Sequence, residues 1–230
     1  ALALVGDAAR AAAILRSGAV YLPINADQPA TRIAMMIDDS VPRVVIGSTR
    51  GRHEALDAID DQRVVELWGE TGFAAIEPFP NDQFRPQRPV HPLDAAYLVY
   101  TSGTTGPPKG CMLGNDYWLR FAGIYLDLYG LGKDDRILCC LQFFYGDPPW
   151  QLLASLQAGT TLVAMRRFSV SRFWDVVRAN RVTRLFGLAS IPSLLLKGRP
   201  DPEEDRNHEV RFALQVGIAK NLHATMTERW

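Results

Sequence analysis

The chain has 230 residues, 47% hydrophobic and 22% charged, enough for one large or two small globular domains. Lys plus Arg number 25 and Asp plus Glu 25, and a formal charge of zero gives no reason to expect nucleic acid or an acidic membrane surface as partner. No apolar run approaches the roughly 20 residues of a membrane helix.

The first stretch, Ala1 to Val20, is alanine-rich but broken by Asp7, Arg10 and Arg16, which makes it a poor signal peptide. Gly6 to Arg16 is predicted as a helix ended by Ser17-Gly18, and Ala19 to Ile24 as a short strand carrying Pro23. Pro29 to Asp39 is the next helix, with proline in its first turn. Arg43–Gly47, His53–Ile59 and Arg63–Trp68 are predicted as strand, helix and strand. This alternation predicts an α/β layer with a mostly parallel sheet. Residues 69–93 hold Pro78, Pro80, Pro86, Pro89 and Pro92 with little periodicity, and are read as a surface crossover.

Ala95 to Tyr100 is an apolar strand. It leads into Thr101-Ser102-Gly103-Thr104-Thr105-Gly106-Pro107-Pro108-Lys109-Gly110, with a second short strand after it. Gly103 and Gly106 allow close backbone approach to a ligand. The hydroxyls of Thr101, Ser102, Thr104 and Thr105 are donors, and Lys109 adds positive charge. Such loops surround phosphate oxygens with N–H groups. A Walker loop needs Gly-Lys-Ser/Thr opening a helix, whereas here Pro107 and Pro108 intervene and a strand follows. The loop therefore joins two strands, and the helix begins near Asn115, its expected cap.

That helix runs to about Tyr129. Trp118, Phe121, Tyr125 and Leu128 recur at spacings of three and four, read as core packing, and Gly130 and Gly132 end it. Arg136–Leu141 is a buried strand, followed by Phe143-Phe144-Tyr145-Gly146 and a helix opened by Asp147-Pro148. Then come a strand at Thr160–Met165, a helix at Ser169–Asn180 capped by Ser169, a strand at Thr183–Gly187 and a short helix at Pro192–Lys197. Asp201 to Glu209 is expected to be a solvated charged turn. Arg211–Val216 is a strand, leading through Gly217-Ile218-Ala219 to a last helix. The three cysteines, two of them adjacent at Cys139 and Cys140, suggest reduced core thiols in a cytoplasmic protein. The four His residues form no metal spacing.

The Thr101–Gly110 segment resembles, at every fixed position, the phosphate loop of the adenylate-forming superfamily, which includes acyl- and aryl-CoA synthetases and peptide-synthetase adenylation domains. The likeness extends over the chain. Leu15–Ile24 is similar to the family's upstream helix-to-strand block. Phe143–Gly146 sits where CoA ligases carry an aromatic segment gating the acyl pocket, and Gly217–Ala219 where the adenine rests against backbone. Two departures stand out. Gly114-Asn115 follows the loop where Thr-His is common, and Tyr145 stands where the gate often has His, with Pro148 and Pro149 beside it.

The resemblance implies a partial N-terminal domain of two α/β lobes with mostly parallel sheets, at residues 1–131 and 132–230. It also implies a catalytic C-terminal domain beyond this stretch, and a magnesium-assisting Glu soon after Trp230. The expected reaction is AMP-forming: a small-molecule carboxylic acid, ATP and Mg²⁺ give acyl-AMP and pyrophosphate, and CoA then accepts the acyl group. The implied sites are Thr101, Ser102, Gly103, Thr104, Thr105, Gly106 and Lys109 for phosphates, with Thr101 and Lys109 catalytic. Gly217, Ile218 and Ala219 are implied for adenine, and Tyr145 and Gly146 for the acyl pocket. No metal ligand is expected in this stretch, which alone is expected to be inactive. Plain structural readings stand beside these: Lys109 as a salt bridge pinning the loop, Tyr145 as a core tyrosine, Gly217–Ala219 as a tight turn. The acid is expected to be fatty or carnitine-like. The alternatives are an amino- or aryl-acid adenylation domain loading a carrier protein, a simple ATPase, and a non-catalytic nucleotide-binding module.

Overall fold

The structure is a computed structural model that describes residues 11–25, 27–47, 64–66, 88–101, 108–188 and 190–230. The expected helix at His53–Ile59, most of the 69–93 crossover and the loop residues Ser102 to Gly106 lie outside the described residues. Two compact units emerge, Ile14–Leu113 and Gly114–Trp230, the latter with residues 11–13.

Helix α1 (residues 11–16) crosses into the first unit at Ile14 and ends where the Gly18 N–H reaches the Leu15 carbonyl at 3.0 Å and Gly18 turns to φ 75°. The strand expected at 19–24 shrinks to one parallel bridge, Tyr21 to Tyr97, with the Tyr21 N–H on the Ala96 carbonyl and the Leu98 N–H on the Tyr21 carbonyl. Two residues on, Pro23 has no N–H to continue the ladder. Helix α2 (Ala30–Ser40) follows Pro29 and buries Ile33, Met36 and Ile37. Strands β1 (Val45–Gly47) and β2 (Val64–Glu66) pair in parallel. Strands β3 (Ala95–Thr101) and β4 (Lys109–Gly114) form a two-stranded sheet, so the phosphate-loop sequence does join two strands.

The second unit opens with α3 (Asn115–Tyr129). Asn115 is its first residue rather than its cap. Gly114, still extended at φ −78° and ψ 165°, holds the cap position, and no side chain caps the helix. Gly130 ends it in the left-handed conformation, φ 55°. The buried stripe is Trp118, Ala122 and Tyr125. Leu128, expected in the core, is 54% exposed, because ten residues from Trp118 it has rotated about 80° off that face. The division between units falls at Leu113/Gly114, and α3 groups with the second unit. Its aromatic face explains why: the Tyr125 ring stacks on Trp150 at 3.6 Å, and Trp150 meets Phe186 edge-on at 5.1 Å. Each such pair adds about 0.5–1.5 kcal/mol beyond area burial.

Strands β5 (Arg136–Cys139), β6 (Thr161–Ala164), β7 (Arg184–Leu188) and β8 (Phe212–Val216) form a parallel sheet in the order β6-β5-β7-β8. The connections carry α4 (Asp147–Ala158), α5 (Phe173–Ala179) and α6 (Ser190–Leu196), and α7 (Lys220–Arg229) closes the unit. Strand alternation sends Phe186 to the α3–α4 side, while Leu138 and Leu185 join Phe173, Val177, Ile191 and Leu195 in a cluster with α5 and α6. The helix expected from Ser169 splits into a 3₁₀ turn, Val170–Arg172, and α5. The Ser169 hydroxyl shares a hydrogen bond with Ser171 at 3.2 Å and caps nothing.

The amino edge of this sheet is tied at Asp135, 4% exposed. Its carboxylate accepts from Arg211 Nη2 at 2.7 Å, Thr183 Oγ1 at 2.7 Å, Arg184 Nε at 3.0 Å and the Gly132 N–H at 3.1 Å. The charged turn at 201–209 is not solvated throughout. Asp205 is 7% exposed and bonds Arg229 Nε at 2.7 Å, while Arg229 also donates to the Gly198 and Arg199 carbonyls at 2.9 and 3.0 Å. Cys139 and Cys140 are buried and free, but Cys111 is exposed, unlike the core thiol expected. No described helix is long and apolar enough to cross a membrane.

Candidate functional site

Strand β3 delivers Thr101, and β4 starts at Lys109, so the two described ends of the phosphate-loop sequence sit on paired strands. Both residues are exposed. Close behind them the strands touch: a Cβ on Gly110 would stand 2.9 Å from Leu98 Cδ1 and 3.3 Å from Tyr100 Cζ, so glycine lets the second stem lie flat on the first.

In the second unit the chain leaves β5 for β6 on one side, then crosses to β7 and β8 on the other. Such a reversal opens a crevice at the carboxyl ends of parallel strands, where ligands of α/β sheets bind. Two expected segments reach this edge. Tyr145 and Gly146 follow β5, and Gly217, Ile218 and Ala219 follow β8. Thr101 and Lys109 belong to the other unit.

Tyr145 is 46% exposed, so the core-tyrosine reading fails. Its ring lies 4.5 Å from that of Phe144, tilted by 39°, and its N–H donates to the Gln142 carbonyl at 3.0 Å. Gly146 holds the cap position of α4, whose first turn contains Pro148 and Pro149. Their missing N–H groups would have had no helical partner there. Gly217 turns at φ 73°, a conformation suited to glycine, and Ala219, extended at ψ 136°, starts α7. The segment is a tight strand-to-helix turn that presents backbone at the carboxyl edge.

Three neighbours escaped the sequence reading. Asp147, read only as a helix start, is half-buried. Burial pushes its carboxyl up, against a hydrogen bond from Trp150 whose Nε1 is 3.4 Å from Oδ1. Gln215 folds its carboxamide over Gly187 on the adjacent strand, where a Cβ would collide with Oε1; that oxygen is buried and finds no hydrogen-bond partner among the described residues. Tyr100 donates to Asp39 across sixty-one residues of sequence. The Asp147–Trp150 contact is local, three residues apart; no local pattern announces the other two, although a lone glycine inside a strand, as at Gly187, signals close approach of another group.

Among the described residues no group of three or more His, Cys, Asp or Glu side chains could hold a metal ion. These residues do not fit a magnesium site, and none is assigned to one.

The family described as "AMP-binding enzyme" matches residues 9–230. The medium/long-chain-fatty-acid–CoA ligase FadD6 of Mycobacterium tuberculosis is 34% identical over 146 residues, 61% of this chain and 24% of its own length. A dimodular nonribosomal peptide synthase of Bacillus subtilis is 32% identical over 127 residues, 48% of this chain and 5% of its own length. Among solved structures, ATP-bound MatB from Rhodopseudomonas palustris shares the fold at TM-score 0.81 and 22% identity, over 95% of this chain and 44% of that one. The chain thus spans less than half of each of these three proteins. With the family match running over nearly every residue and the fold shared with a protein crystallised with ATP, this chain belongs to the AMP-binding, adenylate-forming enzyme family.

Proposed function

We propose that the polypeptide containing this chain activates a carboxylic acid with ATP and passes the acyl group to CoA. An oxygen of the acid attacks the α-phosphorus, and the bond to pyrophosphate breaks. The CoA sulfur then attacks the acyl carbon of the mixed anhydride, and AMP leaves. The observation that carries this reading is the β3–β4 pair, which ends one strand at Thr101 and starts the other at Lys109, both exposed, with Ser102-Gly103-Thr104-Thr105-Gly106 between them in sequence. The first step gathers negative charge on phosphate oxygens, so its catalysis is mainly positioning and electrostatic stabilisation. In this proposal the hydroxyls and glycine N–H groups of the loop hold phosphate, and Lys109 supplies positive potential. Gly217, Ile218 and Ala219 lay backbone against adenine, and Tyr145 with Gly146 borders the acyl pocket.

The likeness to FadD6 favours CoA as acceptor and a fatty acid as substrate. The likeness to a nonribosomal peptide synthase favours a second reading, in which the acceptor is a carrier-protein thiol and the acid an amino or aryl acid. Free, buried Cys139 and Cys140 support a reducing, cytoplasmic setting.

ATP–pyrophosphate exchange by the full-length polypeptide across a panel of carboxylic acids tests the reading. Acid-dependent exchange is expected, with the best acid naming the class. ATP hydrolysis without acid and no exchange would instead support an ATPase. Tyr145→Ala is expected to change the order of preferred acids while ATP's KM holds within about twofold, since only a pocket contact is lost; an identical acid profile would remove Tyr145 from the pocket.

A further inference from the structure

One side chain touches both stems of the phosphate-loop sequence. Tyr100 immediately precedes Thr101, and its ring lies against Gly110, the residue after Lys109. A two-stranded sheet such as β3–β4 is marginal by itself, so the mutual placement of its ends depends on contacts of this kind. The Tyr100 hydroxyl donates to Asp39 Oδ2 at 2.5 Å and stands 3.4 Å from the Met36 carbonyl oxygen. The phenol has a single proton, and Asp39 takes it, being both the nearer acceptor and the charged one. Helix α2, which carries Asp39, is held by the buried Ile33, Met36 and Ile37, and Tyr100 packs against this cluster. Burial first, and then the Asp39 carboxylate, push the phenol up to about 12, so it remains a donor at neutral pH.

We propose that Tyr100, latched to Asp39, is a positioning residue that fixes Thr101 and Lys109 relative to each other for ATP phosphate binding. The inference rests on the adenylation reading above. The latch joins three points: the last turn of α2, the end of β3 and the start of β4. Asp39 is exposed, so core packing gives no reason for an acid there, whereas orienting the tyrosine does. Gly110 is the position that admits the ring.

The test uses full-length Tyr100→Phe, Asp39→Ala and the double variant. Phenylalanine keeps the ring against Gly110 and removes only the hydroxyl. Each single variant is expected to raise the KM for ATP in exchange about fivefold, as for a lost hydrogen bond, with the KM for acid unchanged. With alanine at position 39 no acceptor is left, so the double variant is expected to match the singles, because either change breaks the same bond. Amide hydrogen exchange over residues 109–114 is expected to quicken in all three. An unchanged KM for ATP, or effects that add in the double variant, would overturn the latch. If the wild type shows no exchange with any acid, the adenylation reading fails. Amide exchange then decides the latch alone: quickening at 109–114 keeps it, and an unchanged rate overturns it. Asp39→Ala, at an exposed position, carries the test should Tyr100→Phe fold poorly.

Discussion

Lys109→Ala in the full-length polypeptide is expected to cut acid-dependent ATP–pyrophosphate exchange by about 100-fold, the usual scale for removing one stabilising group from a charge-developing transition state. The reasoning starts from exposure. Lys109 opens β4 on the surface, and a surface substitution of this kind changes stability by about 0.5 kcal/mol or less. The thermal midpoint should therefore stay put while exchange falls. Lys109→Arg tests whether the charge itself is what matters. Arginine keeps the positive potential and should recover much of the activity if the lysine acts as a charge. Unchanged exchange in Lys109→Ala would refute the assignment.

The largest expected effect on stability lies at the amino edge of the other unit's sheet. Asp135→Ala is expected to cost about 3–5 kcal/mol in denaturant unfolding, as for breaking a buried ion pair and leaving its partner unpaired. Arg184, 14% exposed, would lose its carboxylate, and the side chains of Thr183 and Arg211 would lose an acceptor. The same residue sets a pH dependence. Burial alone would push its carboxyl up, but hydrogen bonds from Arg184, Thr183 and the Gly132 N–H outweigh burial and hold it down at about 2, from an ordinary 3.8. A depressed carboxylate stabilises the fold fully above its unfolded pKa and loses that contribution as pH falls. About 2 kcal/mol should therefore vanish between roughly pH 4 and pH 2. Asp135→Ala should flatten the stability curve in that window. A curve with wild-type slope would remove the ion pair from the account.

Local chemistry explains which parts of this chain were readable in advance. Ala95–Thr101 is an apolar run stopped by a glycine-rich loop, and Gly130 and Gly217 mark turns that favour glycine, so the strands and helix ends came close. Where a tertiary contact decides, the sequence misled. Asn115 is a good cap in isolation, but β4 runs on through Gly114 and the helix starts one residue early. Asp205 looks like one acid among several in a polar turn, and Arg229, twenty-four residues later, buries it. Asp135 is tied by residues at 183, 184 and 211 that no window around it contains. The site divides in the same way. The two strands that flank the Thr101–Gly110 sequence were legible as a motif, and the turn at Gly217 by its glycine. The latch of Tyr100 to Asp39 and the seating of Gln215 on Gly187 depend on neighbouring elements and could only be seen once folded.

The unequal burial of the three thiols has a practical side. Burial pushes the Cys139 thiol up, and Cys140 up to about 11, so neither offers thiolate to an alkylating reagent at neutral pH. Cys111 stands exposed two residues from Lys109, and on a strand that spacing puts both side chains on one side. Within this stretch of chain a fluorophore would attach at a single address, beside the lysine on which the proposed chemistry turns.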